Sequence, residues 1–279
     1  MSIIGYSNGI EWVKEFFIKK GRLFLKVLDS KWETAEIEAG QVARLLENIG
    51  VDKGSTILDL GCGNGRIAIN LAKLGYRVVG VDISPVFIED ARKKAKEHGV
   101  EDKVEFLTGD ARELDKVLGD KLFDATIMYW TTILGYYLDK KTDVMILRNI
   151  WKVTKPEGYL LILNHAGLEL VSFRNGFCGA ASYMSELDEE TVMVEKPELD
   201  PTTATIKNTW TFYKKEGKDL KYIDEISFEL RVYAFHEIIE MAKEAGWSFH
   251  SAYRDIMTLR PYRPGLSSIN IVLQKKTQQ

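Results

Sequence analysis

Residues 56–66 read Thr-Ile-Leu-Asp-Leu-Gly-Cys-Gly-Asn-Gly-Arg, and this stretch restricts the fold more tightly than any other. An apolar run closes on Asp59 and Leu60, then breaks into Gly61, Gly63 and Gly65 before a helix-like run from Ile67 to Leu74. That order predicts a strand, a tight turn and a helix start. Glycines at alternate positions let the backbone approach a ligand with no Cβ in the way, and they take positive φ where a turn needs it. The helix N-terminus behind them offers free N–H groups to a lone-pair-rich or anionic ligand. The segment reads as a cradle for a nucleotide-type cofactor.

The pattern then repeats. Arg77 to Asp82 is a second apolar run ending in an acid, and Ser84 and Pro85 start a helix marked by Phe87, Ile88, Ala91 and Ala95. Strands at Val104–Leu107, Phe123–Met128 and Tyr159–Leu163 follow, separated by a short helix and by a longer one from about Thr142 to Val153. Five alternations of strand and helix predict a doubly wound parallel sheet with helices on both faces.

Both flanks differ from this core. Residues 9–28 carry apolar positions at helical spacing, interrupted near Gly21, and interspersed lysines. They are expected as an N-terminal helical cap (1–35), either packed over the core with its lysines in water or lying over a substrate pocket with Tyr6 reaching in. Residues 165–204 have no strong period and hold an acidic cluster, from Glu186 and Asp188 to Glu195 and Asp200, read as a solvated loop or an attraction for an amine. From Ile206 to Val232 two arms alternate with period two around a turn, an antiparallel hairpin. A helix from Phe235 to Ala245 and strands at Trp247–Tyr253 and Ile269–Leu273 close the chain. The expected division is an α/β domain of residues 36–165 and 233–275, with 166–232 as an inserted antiparallel subdomain.

The 279 residues are 45% hydrophobic and 28% charged, the composition of a soluble globular protein. Lys and Arg total 38 against 41 Asp and Glu, so no global charge draws the chain to nucleic acid. The two cysteines, Cys62 and Cys178, exclude a disulfide scaffold and argue against a structural metal site. With no apolar run near the roughly 18 residues of a membrane span, a cytoplasmic setting is expected.

A dinucleotide cradle wants Gly-x-Gly-x-x-Gly, but Arg66 stands at the third glycine's place and Gly65 comes one residue early. Instead, Asp59 to Gly65 resembles the first motif of the class I S-adenosylmethionine-dependent methyltransferases. Val81-Asp82 is similar to their acid closing the second strand, and Gly109-Asp110-Ala111 to their adenine-side motif. Phe123-Asp124 and Lys155-Pro156-Glu157-Gly158 resemble the starts of the fourth and fifth strands, with Glu157 where a second glycine is common. The resemblance implies a mostly parallel seven-stranded sheet, with the N-terminal helical cap and with the antiparallel insertion after the fifth strand.

It also implies S-adenosylmethionine as cofactor and S-adenosylhomocysteine as product. Gly61, Cys62 and Gly63 would approach the methionine part, with Asp59 beneath the amino end. Asp82 would accept from both ribose hydroxyls, since an ionised carboxylate offers only acceptors. Asp110 would accept from the adenine amino group and Ala111 N–H donate to the ring, between Ile83 and Arg112. Tyr129 and Trp130, after the fourth strand, either face the sulfonium or a cationic amine, or serve packing. His165 is the candidate general base; its other reading is structural. Tyr6, Trp130, Trp210 and Tyr233 are candidate substrate contacts. In small-molecule members of the family an insertion here roofs the acceptor pocket. The expected reaction is methyl transfer to nitrogen or oxygen of a small molecule. The alternatives are an RNA or protein methyltransferase and a non-catalytic S-adenosylmethionine-binding protein. No metal is expected, nucleic acid is disfavoured as a partner, and a homodimer through the insertion stays open.

Overall fold

The structure, a computed structural model, describes residues 9–130, 133–178 and 182–276. The parallel strands are β1 (Thr56–Leu60), β2 (Arg77–Asp82), β3 (Val104–Thr108), β4 (Phe123–Tyr129) and β5 (Thr154–His165). After them come β6 (Tyr183–Glu186), β7 (Thr191–Asp200), β8 (Thr205–Glu216) and β9 (Asp219–Arg231), which form a separate four-stranded antiparallel sheet in that order. The last two, β10 (Ser248–Tyr253) and β11 (Ile269–Gln274), rejoin the first sheet. Its order is β10-β11-β5-β4-β1-β2-β3, with β11 antiparallel to both neighbours. This is the expected doubly wound, mostly parallel seven-stranded sheet with an antiparallel insertion after the fifth strand.

Helices cover both faces. They are α1 (Gly9–Lys14), α2 (Gly21–Asp29), α3 (Trp32–Asn48), α4 (Arg66–Lys73), α5 (Pro85–Glu97), α6 (Leu114–Leu118), α7 (Lys140–Val153), α8 (Leu168–Cys178) and α9 (Phe235–Glu244). One core, under α3, α4 and α5, holds Leu45, Ile57, Ile69 and Phe106; the opposite core, under α7 and α9, holds Leu58, Ile146, Ile162 and Met241. Adjacent residues of β1 and of β5 thus serve opposite cores, so these strands read as continuous apolar runs. Local chemistry sets the helix starts: Ser84 Oγ accepts from Phe87 N–H, Pro85 occupies the first turn of α5, and Asp139 accepts from Lys141 and Thr142 N–H at α7. Glu157 has φ +61°, the left-handed conformation a glycine would take without strain, so the sequence departure alters a turn within β5.

A third core joins the cap to the insertion. Between α1 and α2 lies one π-helical turn, Glu15–Lys19, a distortion frequent at functional sites. It buries Phe16 and Phe17 side by side. The Phe24 ring stacks on Trp210 at 5.7 Å, Trp12 stacks on Phe228 at 5.5 Å, and Phe16 meets Trp210 edge-on at 5.5 Å. Such pairs are each worth about 0.5–1.5 kcal/mol beyond their buried area. Charge reinforces the contact: Lys20 Nζ donates to Asp224 at 2.9 Å, and Lys26 Nζ to Asp188 at 2.7 Å and Thr191 at 3.0 Å. Two cap lysines therefore tie the cap to the insertion instead of pointing into water, while Lys19 remains exposed. The expectation of a solvated acidic loop is also corrected, because Glu186, Glu195 and Asp200 lie on β6 and β7.

The loop after β4 is pinned between the two sheets. Gly135, at φ +87°, receives Arg231 N–H on its carbonyl at 2.9 Å, and a Cβ there would sit 2.0 Å from the Arg231 carbonyl oxygen. Its own N–H donates to Asp143 Oδ2 at 3.0 Å, and that oxygen also accepts from Tyr233 Oη at 2.6 Å. Burial raises the Asp143 pKa to about 6 despite these donors. A carboxyl raised on folding loses stability as pH climbs from its unfolded value near 4 to about 6. Above that range the buried charge depends on Tyr233. Tyr233→Phe is expected to cost about 1.5–3 kcal/mol at pH 8, and less at pH 5, where Asp143 is protonated. Urea unfolding at the two pH values checks this, and an equal loss at both would contradict it.

Candidate active site

At the carboxyl ends of β1, β2 and β4 the sheet opens into a cavity of about 340 Å³. One wall is the glycine turn, with Gly61, Cys62 and Gly63. The turn folds this way because Gly61, Gly63 and Gly65 all have positive φ, and a Cβ on Gly65 would lie 2.6 Å from Phe106. Gly61 and Cys62 N–H both donate to Val81 O, at 2.7 and 3.1 Å, locking the turn against β2.

Three acids line this end. Asp59 is 2% exposed; Ala68 N–H donates to its carboxylate, and Oδ2 is buried without a hydrogen-bond partner. Burial raises its pKa to about 7, opposed by the positive charge of Arg66. Asp82 accepts from Gly63 N–H on Oδ2 and from Ser84 N–H on Oδ1, both at 2.9 Å, leaving further lone pairs on each oxygen. Burial raises it to about 6. Asp110 behaves oppositely: burial pushes its pKa up, but hydrogen bonds from the Arg112 side chain and backbone outweigh that and hold it below the usual carboxylate value.

Ile83, Ala111, Tyr129 and Trp130 also line the cavity, together with the three acids and the turn. Trp130 takes φ +72°, an uncommon conformation for a bulky residue, and its N–H donates to Leu163 O at 2.9 Å. Tyr129 Oη accepts from Asn164 Nδ2 at 2.8 Å, and burial pushes its pKa far above the ordinary phenol value, so it stays protonated. Trp210 lines the far end.

Arg112, His165 and Tyr233 lie outside the lining. Arg112 forks onto Asp110, and its guanidinium lies 4.7 Å from the Tyr137 ring centroid. Tyr233 is spent on Asp143. His165, in register with Ile269 of β11, is 1% exposed with both ring nitrogens unpartnered, and burial lowers its pKa to about 4. Tyr6 and Thr131 fall outside the described residues. Among the described residues no cluster of His, Cys, Asp and Glu could hold a metal ion.

Sequence reasoning missed several lining residues. Arg66, noted only for breaking a dinucleotide motif, is 7% exposed, pairs with Glu38 and places its guanidinium 5.2 Å from the Tyr129 ring centroid. Trp12, Phe16, Phe17 and Phe24 of the cap, Tyr136, Glu195 and Asn208 complete the chamber. The amphipathic spacing of 9–28 gave the cap's inner face, yet nothing local said what that face would meet.

Comparison with known proteins identifies the family to which a chain with this site belongs. The sequence model described as a methyltransferase domain matches residues 51–230, more than half of the chain. The chain belongs to this family and is an S-adenosylmethionine-dependent methyltransferase. It is 29% identical over 206 residues to the putative methyltransferase YqeM of Bacillus subtilis, covering 74% of this chain and 78% of that one. It is 27% identical over 249 residues to the 27-O-demethylrifamycin SV methyltransferase of Amycolatopsis mediterranei, covering 78% and 89%. In fold it is similar to S-adenosylmethionine-bound CalS10, an amino pentose methyltransferase from Micromonospora echinaspora, with TM-score 0.69, 17% identity and coverage of 91% and 97%.

The two raised carboxyls predict a pH dependence of ligand binding. A polar ligand that bonds to ionised Asp59 and Asp82 binds best above pH 7 and weakens as protons neutralise first Asp59 and then Asp82. Calorimetric affinity for S-adenosylhomocysteine is expected to fall as pH is lowered from 8 to 5, and Asp82→Asn to weaken it roughly ten- to hundredfold at pH 8 while flattening the profile. Unchanged affinity in the variant would contradict the assignment.

Proposed function

We propose that this methyltransferase acts on nitrogen or oxygen of a small molecule held under the aromatic roof. The observation that carries the reading is one cavity that runs from the strand-end acids to a chamber lined by cap and insertion. A pocket walled in this way suits a compact acceptor, whereas a nucleic acid or protein chain needs an extended track. Lys20 and Lys26 are already committed to Asp224 and Asp188, which withdraws these two cations from an RNA footprint on the cap. Relatives named for a rifamycin precursor and an amino pentose agree in substrate class.

The residues present fit the methyl donor. The unpartnered, buried Oδ2 of Asp59 suits an ammonium group, and the remaining lone pairs of Asp82 suit a ribose diol. Asp110 and Ala111 face the adenine side with Ile83. Asp110 must share its lone pairs between Arg112 and an adenine amino group. When bound, S-adenosylmethionine would supply an electrophilic methyl group, which the acceptor's nitrogen or oxygen lone pair attacks in line as the carbon–sulfur bond breaks and S-adenosylhomocysteine leaves. The chain's own part is alignment and exclusion of water, which can supply roughly 7–11 kcal/mol of barrier lowering. Tyr129 and Trp130 form the wall between the two ends, where an aromatic face stabilises nearby positive charge by about 0.5–2 kcal/mol. His165 stays neutral at working pH and outside the lining, so this reading gives it no proton to move. The exposed hairpin residues Leu220 and Tyr222, with Met184 on edge strand β6, support self-association through the insertion. Among the described residues no helix is long and apolar enough to cross a membrane.

Offering methyl-labelled S-adenosylmethionine with cell metabolites, RNA and protein in separate reactions tests the reading. Label is expected in the metabolite fraction, and label confined to RNA or protein would overturn it.

A further inference from the structure

The roof of the chamber is apolar except at one place. In the register of the insertion, Met193, Glu195, Pro197 and Leu199 of β7 stand opposite Phe212, Trp210, Asn208 and Ile206 of β8, and the last three of these opposite Ile226, Phe228 and Leu230 of β9. Cross-strand partners share a face, so one face carries aliphatic and aromatic side chains around Glu195 and Asn208. Both line the cavity with Trp210.

Their hydrogen-bonding capacity is incompletely used. Asn208 Nδ2 donates to Glu195 Oε2 at 3.2 Å, while Asn208 Oδ1 and Trp210 Nε1 are buried and have no partner. Asn208 is 9% and Trp210 8% exposed. A buried donor or acceptor left unmade is unfavourable, so a ligand that completes these bonds gains from both. No cation among the described residues pairs with Glu195; Lys20, Lys26 and Lys215, which do pair with acids of the insertion, bind Asp224, Asp188 and Glu186. Among the described residues the one cationic side chain lining the cavity, Arg66, belongs to the opposite end and is paired with Glu38. A half-buried carboxylate with no cationic partner among the described residues, lining the same cavity as Trp12, Phe16, Trp210 and Phe228, is an arrangement that recognises an organic cation, combining a counter-ion with ring faces.

We infer that the methyl acceptor is an amine-bearing molecule whose protonated nitrogen is held by Glu195, with Asn208 Oδ1 and Trp210 Nε1 engaging a neighbouring donor and acceptor of the same molecule. This rests on the small-molecule reading above and narrows it to one substrate class. Glu195 acts in recognition, and the assignment leaves open which atom of the acceptor is methylated.

Matched fragments test it: phenethylamine against phenethyl alcohol, and cyclohexylmethylamine against cyclohexylmethanol, titrated by ligand-observed NMR into the enzyme saturated with S-adenosylhomocysteine. The wild type is expected to bind the amines at least tenfold more tightly than the alcohols. Glu195→Gln should remove the preference, and Glu195→Asp, which keeps the charge, should retain part of it. Equal binding of amine and alcohol by the wild type, or a preference undiminished in Glu195→Gln, would overturn the inference. The two readings fail separately: enzyme that binds S-adenosylhomocysteine and transfers label to neutral metabolites refutes the amine class alone, whereas label confined to macromolecules refutes the small-molecule reading beneath it.

Discussion

Asp59 and Asp82 stand on adjacent parallel strands, and both carboxyls are almost wholly withdrawn from water. Burying a carboxylate is unfavourable unless its charge is met by donors, and here the donors are incomplete. Burial accordingly raises both carboxyls, Asp59 to about 7 and Asp82 to about 6. The surrounding structure serves to keep these groups in place and dry. Val81 O fixes the glycine turn, Gly63 and Ser84 N–H orient Asp82, Ala68 N–H holds Asp59, and Arg66 sets a positive charge nearby. A ligand bringing an ammonium and a diol supplies what the fold withholds, so binding free energy comes from groups already desolvated and oriented.

The second constraint is closure. An open doubly wound sheet leaves the crevice outside its strand ends exposed to solvent. This chain covers it with two elements that do not depend on the sheet for their own partner: the cap presents Phe16 and Phe24, and the insertion presents Trp210 and Phe228. Two salt bridges and the Gly135–Arg231 backbone contact hold the cap, insertion and β4 loop around one chamber. Because cap and roof bury each other's aromatic faces, separating them costs apolar burial, and the walls of the chamber belong to the resting fold.

The sheet and its cofactor end were legible in the sequence because local chemistry dictates them. Apolar runs ending in acids, a Ser-Pro helix start and glycines at positive φ each act within a few residues. The chamber was less legible. On β7 both faces carry apolar groups, Val192 and Val194 on one and Met193 and Leu199 on the other, while Glu195 and Pro197 interrupt the inner one, so period two never emerges. Glu195 looked like one acid in an acidic cluster, and its separation from Asp188 and Asp224, which have lysine partners, is a tertiary fact. Arg112 and Tyr233 were drawn to the site by motif and proximity, yet their polar atoms are consumed by Asp110 and Asp143. His165 ends the strand where a base was sought, but the packing of β11 encloses it.

The central claim is that one cavity holds the donor against the strand-end acids and presents it to the aromatic chamber. A crystal structure with S-adenosylhomocysteine tests this most directly. The account predicts the ribose hydroxyls on Asp82, the amino group on Asp59 Oδ2 and the sulfur turned toward Tyr129 and Trp130. A nucleoside bound elsewhere, or one whose sulfur points away from the roof formed by cap and insertion, would contradict it.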